Sequence, residues 1–209
     1  MPVDETRWIR DNVSGIVLNG GASVRLGVDK ASILLHGRTL LERVLDVLAV
    51  VFDDVLLVGR PEAARDHPAV SRALADAAAG IGPLGGIATG LGAMSRPVGF
   101  FVACDMPWLD AEVIRRQLRV LRQTNAEAVV PQWDGYWEPL HAAYSRACLL
   151  AAEARIAAGD HRIRSFFDHV DVHFWDVAAA GISTRPFTNV NTKRDLAALL
   201  DAGDCVPGG

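Results

Sequence analysis

Apolar residues along this chain follow two alternating rhythms. Short apolar runs at Gly15-Ile16-Val17-Leu18, Asp54-Val55-Leu56-Leu57-Val58-Gly59 and Val98-Gly99-Phe100-Phe101-Val102-Ala103 have the length and make-up of buried strands. Between the first two, Leu40, Leu41, Val44, Leu45, Leu48 and Val51 recur at helical spacing. Thr39 and Glu42 stand at the head of that helix in the T-x-x-E form of a capping box. Pro61 to Ala64 reads as a short helix that Pro68 interrupts. Pro83 suits a first helical position, with Ile87, Leu91 and Met94 following on one face. Asp110 is placed to cap an amphipathic helix over Ala111–Gln123. Strand patterns return at Ala126–Pro131 and Val170–Trp175. Ser145 is expected to cap a helix over Arg146–Ala158, with Gly159 at its C-terminal end. Met1 to Val13 is polar and predicts a loose lead-in or a short helix. Strands alternating with helices predict an α/β fold, with a mostly parallel sheet covered by helices on both faces.

Composition narrows the function classes. At 209 residues the chain is long enough for one domain with a full core, and no repeat or low-complexity linker divides it. The expectation is a single domain over 1–209, with a lead-in at 1–13, a nucleotide-binding half at 14–110 and an acceptor-binding half at 111–209. A net charge of −4 argues against a general nucleic-acid binder, though not against a site for one nucleotide. Cys104, Cys148 and Cys205 are odd in number and form no C-x-x-C pair, so neither a disulfide framework nor a cysteine zinc site is expected. His36, His67, His141, His161, His169 and His173 show no zinc-ligand spacing suited to a helix. The N-terminus lacks the apolar core of a signal peptide, and no uncharged apolar run is long enough to span a membrane. The expected compartment is the cytoplasm.

The first strand runs directly into Leu18-Asn19-Gly20-Gly21-Ala22-Ser23-Val24-Arg25-Leu26-Gly27-Val28-Asp29-Lys30. Gly20 and Gly21 let a phosphate approach the backbone, whose successive N–H groups can point at one anion. Arg25 and Lys30 supply full positive charge, and a guanidinium can grip phosphate oxygens through two hydrogen bonds. Two familiar glycine motifs do not fit. Val28 and Asp29 separate Gly27 from Lys30, unlike the ATPase phosphate loop, and the dinucleotide fingerprint G-x-G-x-x-G cannot be laid on these glycines. Further along, Asp76 precedes Gly80-Ile81-Gly82-Pro83-Leu84-Gly85-Gly86. The strand ending at Ala103 delivers Cys104-Asp105-Met106-Pro107, and a carboxylate just past a central parallel strand sits where open α/β sheets bind ligands. Mg²⁺ needs few protein carboxylates, so one well-placed Asp suffices. Asn189 and Asn191 alternate on one side of an extended segment, with amides suited to the edge of a heterocycle. Trp133 and Trp137 flank an aromatic turn that could stack on a flat ring or shield a strand edge; the sequence leaves both readings open.

These motifs, in this order, resemble the MobA-type molybdenum cofactor guanylyltransferases. The first stretch is similar to L-x-G-G-x-S-x-R-x-G-x-D-K, matched at Leu18, Gly20, Gly21, Ser23, Arg25, Gly27, Asp29 and Lys30. Asn19 and Leu26 stand where the family usually has Ala and Met. The Asp76 cluster resembles D…G-P-L-G-G-I, Cys104–Pro107 resembles C-D-x-P, Pro139–Tyr144 resembles P-L-x-A-x-Y, and Phe187–Leu196 resembles F-x-N-x-N-T-x-x-D-L. The resemblance implies a Rossmann-like three-layer nucleotidyltransferase fold. The implied activity is transfer of GMP from GTP to a molybdopterin phosphate, with release of pyrophosphate. It implies a nucleotide site of Leu18, Asn19, Gly20, Gly21, Ser23, Lys30, Asp76 and Asp105, with Arg25, Lys30 and Asp105 catalytic and Asp105 holding Mg²⁺. It implies an acceptor site including Asn189, Asn191, Arg162 and Arg164. Molybdopterin-loading proteins and apo-molybdoenzymes are the protein partners it suggests. Three alternatives stay open: a relative using CTP or a sugar phosphate, a non-catalytic cofactor carrier, and a Rossmann-like regulator. The cytidylyl relatives usually show L-A-A-G where this chain has Leu18-Asn19-Gly20-Gly21, which favours guanine.

Overall fold

The computed structural model describes residues 2–20, 30–77, 80–192, 194–195 and 197. The first strand, β1 (Val13–Asn19), is wholly buried and lies at the centre of the sheet. It pairs in parallel with β4 (Val55–Gly59) on one side and with β6 (Val98–Ala103) on the other. β5 (Arg72–Ala75) adds in parallel outside β4. Beyond β6 come β9 (His141–Ser145), antiparallel to both its neighbours, then β7 (Ala128–Trp133) and β10 (Val172–Asp176), which pair in parallel. The order is β10-β7-β9-β6-β1-β4-β5, with β8 (Tyr136–Trp137) paired to β7. β2 (Leu34–Leu35) and β3 (Arg38–Thr39) form a separate two-stranded hairpin.

The central strands are apolar on both faces because each face has its own core. Val13 and Val17, Val55 and Leu57, and Phe100 and Val102 point to one side. That side is covered by α1 (Pro2–Asn12), α2 (Leu40–Val51) and α4 (Ala111–Thr124). Ile16, Leu56, Val58 and Phe101 point to the other, under α3 (Pro83–Ala93) and α5 (Cys148–Ala157). The period of two along buried strands thus builds a three-layer α/β sandwich with a mostly parallel sheet.

Helix starts follow local chemistry. Thr39 and Glu42 exchange hydrogen bonds at the head of α2, with Glu42 N–H donating to Thr39 Oγ1 (3.1 Å) and Thr39 N–H to Glu42 (2.7 Å). Asp110 accepts from the Glu112 and Val113 N–H groups at 2.7 and 3.3 Å. Pro83 occupies the first turn of α3 after Gly82, whose φ of 86° suits a residue without a side chain. Residues 2–12 form the helix that was one of the two readings of the polar N-terminus, seated on the core through Ile9. The apolar run at Ile33–Leu35 enters a hairpin that turns through His36 and Gly37, both with positive φ. Ser145 does not cap a helix. Its N–H donates to Glu127 O (2.7 Å) and it pairs with Val98 in the sheet, so α5 begins only at Cys148.

α3 lies close to the sheet because it presents glycines to it. A Cβ built on Gly90 would stand 2.6 Å from a ring carbon of Phe101, itself fully buried and edge-on to Tyr144 at 5.5 Å. Gly92, on the same helix, has open space. Alanine normally favours a helix over glycine by about 1 kcal/mol. The two positions therefore respond with opposite sign. Gly92→Ala raises stability by several tenths of a kcal/mol, and Gly90→Ala lowers it by about 1–3 kcal/mol through overpacking. Urea unfolding of the two variants beside the parent chain checks this.

Candidate functional site

β4 and β5 lie on one side of β1 and β6 on the other, so the chain reverses its winding at β1. The chain therefore leaves the C-terminal ends of the neighbouring strands β1 and β6 toward opposite sides of the sheet, which is where open α/β sheets form a crevice. A cavity of about 590 Å³ opens there. Leu18 and Gly20 enter its wall from the end of β1, and Ala103, Cys104 and Asp105 from the end of β6. The two strand ends are tied by Cys104 N–H donating to Leu18 O at 3.1 Å.

The wall opposite is made by the start of α3. Gly82, Pro83 and Gly86 line it, together with Asp76. A Cβ on Gly86 would come within 3.2 Å of Leu18, so glycine is what lets the helix start close against the strand end. Asp76 is fixed by its neighbour helix. Its Oδ1 accepts from the Thr89 hydroxyl at 3.0 Å, and that hydroxyl accepts from Ala77 N–H at 3.2 Å. Asn189 and Asn191 reach the same cavity from the C-terminal part of the chain, 84 and 86 positions beyond Asp105. They are held there by Val190, whose N–H donates to Asp105 O at 2.9 Å. The Val190 side chain is buried with Ile33, Leu35 and Leu40.

Six residues expected from the sequence therefore meet at one cavity: Leu18, Gly20, Asp76, Asp105, Asn189 and Asn191. Asn19 turns away from it. Its side chain is buried and bonds to Arg60, with Arg60 donating to Asn19 Oδ1 at 3.2 Å. Lys30 opens the short 3-10 helix Lys30–Ser32. Gly21, Ser23 and Arg25 lie outside the described residues. Arg162 and Arg164 do not line the cavity. Arg162 is exposed and paired with Asp160 at 2.7 Å, an interaction that holds the Asp160 carboxyl well below its usual range. Arg164 lies over the Trp137 ring at 4.6 Å. The aromatic turn is packed on this chain's own rings: Trp133 stacks on Phe187 at 5.3 Å, and Trp137 sits 4.4 Å from Phe174. Among the described residues no group of three or more His, Cys, Asp or Glu side chains is disposed to hold a metal by itself. Among them, too, no helix is long and apolar enough to cross a membrane.

The model of the MobA-like NTP transferase domain matches residues 15–173, most of the chain. The chain belongs to the MobA-like NTP transferase family. It is 33% identical over 187 residues to a molybdenum cofactor guanylyltransferase of Syntrophotalea carbinolica, covering 88% of each chain. It is 31% identical over 200 residues to a probable molybdenum cofactor guanylyltransferase of Natranaerobius thermophilus, covering 89% of this chain and 94% of that one. Among solved structures it superposes on molybdopterin-guanine dinucleotide biosynthesis protein A from Archaeoglobus fulgidus with a TM-score of 0.79. That match has 24% identity and covers 90% and 97% of the two chains, a likeness of fold.

Two residues of this MobA-like transferase stand on or behind the cavity wall without having been named as site residues, Arg60 and Glu138. Arg60, just past β4, places a cation on the cavity wall. Glu138 accepts from Leu140 N–H at 3.0 Å and from the Asn189 amide at 3.1 Å. Burial pushes its carboxyl up to about 7 against those two hydrogen bonds, and the charge of Asp105 adds to the rise. A carboxylate immediately before the apolar segment Pro139–Tyr144 was the available signal for it. His141 lies beneath, fully buried, its Nδ1–H donating to Gln117 Oε1 at 3.1 Å. The Gln117 amide in turn donates to Val129 O and to His141 O.

Burial lowers the His141 pKa to about 4, so the folded chain keeps this ring neutral. The unfolded chain binds a proton there below about 6.5. The unfolded state thus holds the extra proton between those two values, and stability falls as pH falls through that window, by at most about 1.4 kcal/mol per pH unit from this group. His141→Gln removes the titration. The variant's stability, followed by urea unfolding from pH 7 to pH 4, declines less steeply than the parent's, whatever offset the substitution brings at pH 7.

Proposed function

We propose that this chain transfers GMP from GTP to the terminal phosphate of molybdopterin, giving the guanine dinucleotide cofactor and pyrophosphate. The observation that carries this reading is the meeting of two sets of motif residues at one cavity. Leu18, Gly20, Asp76 and Asp105 come from the nucleotide part of the chain, and Asn189 and Asn191 from the remainder. Relatives 31 to 33% identical over nearly the whole chain carry the guanylyltransferase name. A cofactor carrier or regulator would have no need for an acidic strand end and an amide pair to share one cavity.

The chemistry is an in-line displacement. An oxygen of the acceptor phosphate forms a bond to the α-phosphorus of GTP while the bond to the β-phosphate oxygen breaks. The acceptor is already an oxyanion, so the protein supplies alignment and charge rather than a nucleophile. The start of α3 and Asp76 hold the nucleoside against Leu18. Lys30 and Arg25 supply positive charge to the phosphates. Asn189 and Asn191 hold the pterin side. Arg162 and Arg164 do not line the cavity, so any contact they make with the acceptor lies outside it.

The donor set at the cavity suits Mg²⁺. It offers hard carboxylate oxygens but, among the described residues, no closed cage, which matches an ion that keeps waters and phosphate oxygens as ligands. Asp105 would hold the ion. When bound, Mg²⁺ supplies Lewis acidity and a template for the phosphates.

Asp105→Asn tests the assignment, because the amide keeps the shape and removes the charge. Turnover, measured as pyrophosphate release, falls by about two orders of magnitude or more, roughly 2.7 kcal/mol of barrier, and is partly restored by raised Mg²⁺ or Mn²⁺. Unchanged metal dependence would remove Asp105 from the site. GTP with Mg²⁺ raises the melting temperature of the parent chain more than CTP or ATP does. An equal or larger shift with CTP would transfer the reading to a cytidylyltransferase.

A further inference from the structure

The amide of Asn189 is held in an orientation that uses its nitrogen and leaves its oxygen without a partner among the described residues. Its Nδ2 donates to Glu138 Oε2 at 3.1 Å, while its Oδ1 is buried without a hydrogen-bond partner among the described residues. Turning the amide over would place oxygen against oxygen. Glu138 cannot turn with it, because its other oxygen accepts from Leu140 N–H at 3.0 Å. Above about pH 7, where it is ionised, the Glu138 carboxylate can only accept, so both groups that face it must be donors. Leu140 and Asn189 both line the cavity.

We propose that Glu138 is a positioning residue that fixes the polarity of Asn189, so that position 189 offers the acceptor substrate an oxygen and takes a hydrogen bond from one of its N–H or O–H groups. Oδ1 has no partner among the described residues, so it is the acceptor whose missing hydrogen bond a bound substrate would supply. The inference rests on the guanylyltransferase reading and deepens it on the acceptor side. Glu138 touches no substrate in this account. It acts through Asn189, and the nucleotide wall of Leu18, Asp76 and Gly86 does not depend on it.

The polarity can be inverted and then restored. In Glu138→Gln, the new oxygen accepts from Leu140 N–H and the new NH₂ group faces Asn189. The Asn189 amide must turn, so position 189 presents a donor instead of an acceptor. In the double variant Glu138→Gln, Asn189→Asp, the amide introduced at position 138 donates to one oxygen of the carboxylate introduced at position 189. The other carboxylate oxygen takes the place of Oδ1. Net charge is the same as in the parent. The expected result is a KM for molybdopterin at least tenfold higher in the single variant, and a return to within about threefold of the parent in the double. The dissociation constant for GTP stays within twofold in all three. NMR of the side-chain amides gives a second readout: the Asn189 NH₂ signal moves upfield in the single variant as its bond to a carboxylate is lost. A single variant with parental KM, a double variant no better than the single, or an unmoved Asn189 amide signal overturns the proposal. Failure of the parent chain itself to use molybdopterin falls on the proposed function, and the amide signal still decides whether Glu138 sets the polarity of Asn189.

Discussion

The constraint on which the structure depends is the reversal of winding at β1. Two strands are laid down on one side of it and the next on the other, so the chain leaves the ends of β1 and β6 toward opposite sides of the sheet. Much of what lines the cavity is there because an element ends, or begins, at that point. Leu18 and Asp105 are strand ends, and Gly82 and Pro83 open α3. The sheet must be buried on both faces to hold these ends rigid, which is why β1 and β6 carry no exposed residue. Glycines at 86 and 90 then let α3 come near enough for its first turn to face the strand ends.

Electrostatics is the second constraint. Two anionic substrates must meet beside Asp76, Asp105 and Glu138. Each carboxylate is managed differently. Asp76 takes a hydroxyl from Thr89, and Glu138 takes two N–H donors yet is still driven upward by burial. Arg60 adds a fixed positive charge on the wall, steadied by Asn19. On the proposed reading, Arg25 and Lys30 of the glycine stretch balance the gathered phosphates. The connection between the two substrate sides is short. Val190 binds the Asp105 backbone with its N–H and buries its side chain against Ile33 and Leu35, which follow the glycine stretch.

The buried strands and the capped helices were legible because each has a local cause. A run of Val, Ile, Leu and Phe reads as a strand covered on both faces, and Thr39 with Glu42 or Asp110 alone marks a helix start. β5 was not, since Arg72-Ala73-Leu74-Ala75 is a half-exposed edge without β-branched residues. The start of α5 was misplaced because Ser145 can cap or can pair, and pairing with Val98 wins once the sheet is assembled. At the site, residues set directly at strand or helix ends were readable from motifs. Glu138 was not, because its role depends on Asn189, 51 positions away. Arg162 and Arg164 illustrate the converse: a basic pair suggests a phosphate, but Asp160 and the Trp137 ring are nearer partners in the folded chain.

The central claim is that this cavity joins a nucleotide to a second phosphate-bearing substrate. The most direct measurement follows the phosphorus itself. The chain is incubated with molybdopterin, Mg²⁺ and GTP labelled at either the α- or the γ-phosphate, and the products are separated. The account predicts α-label in a pterin dinucleotide and γ-label in pyrophosphate, with none on the protein. Label from α-labelled GTP appearing in free GMP or on the protein, or equal incorporation from CTP, would contradict it.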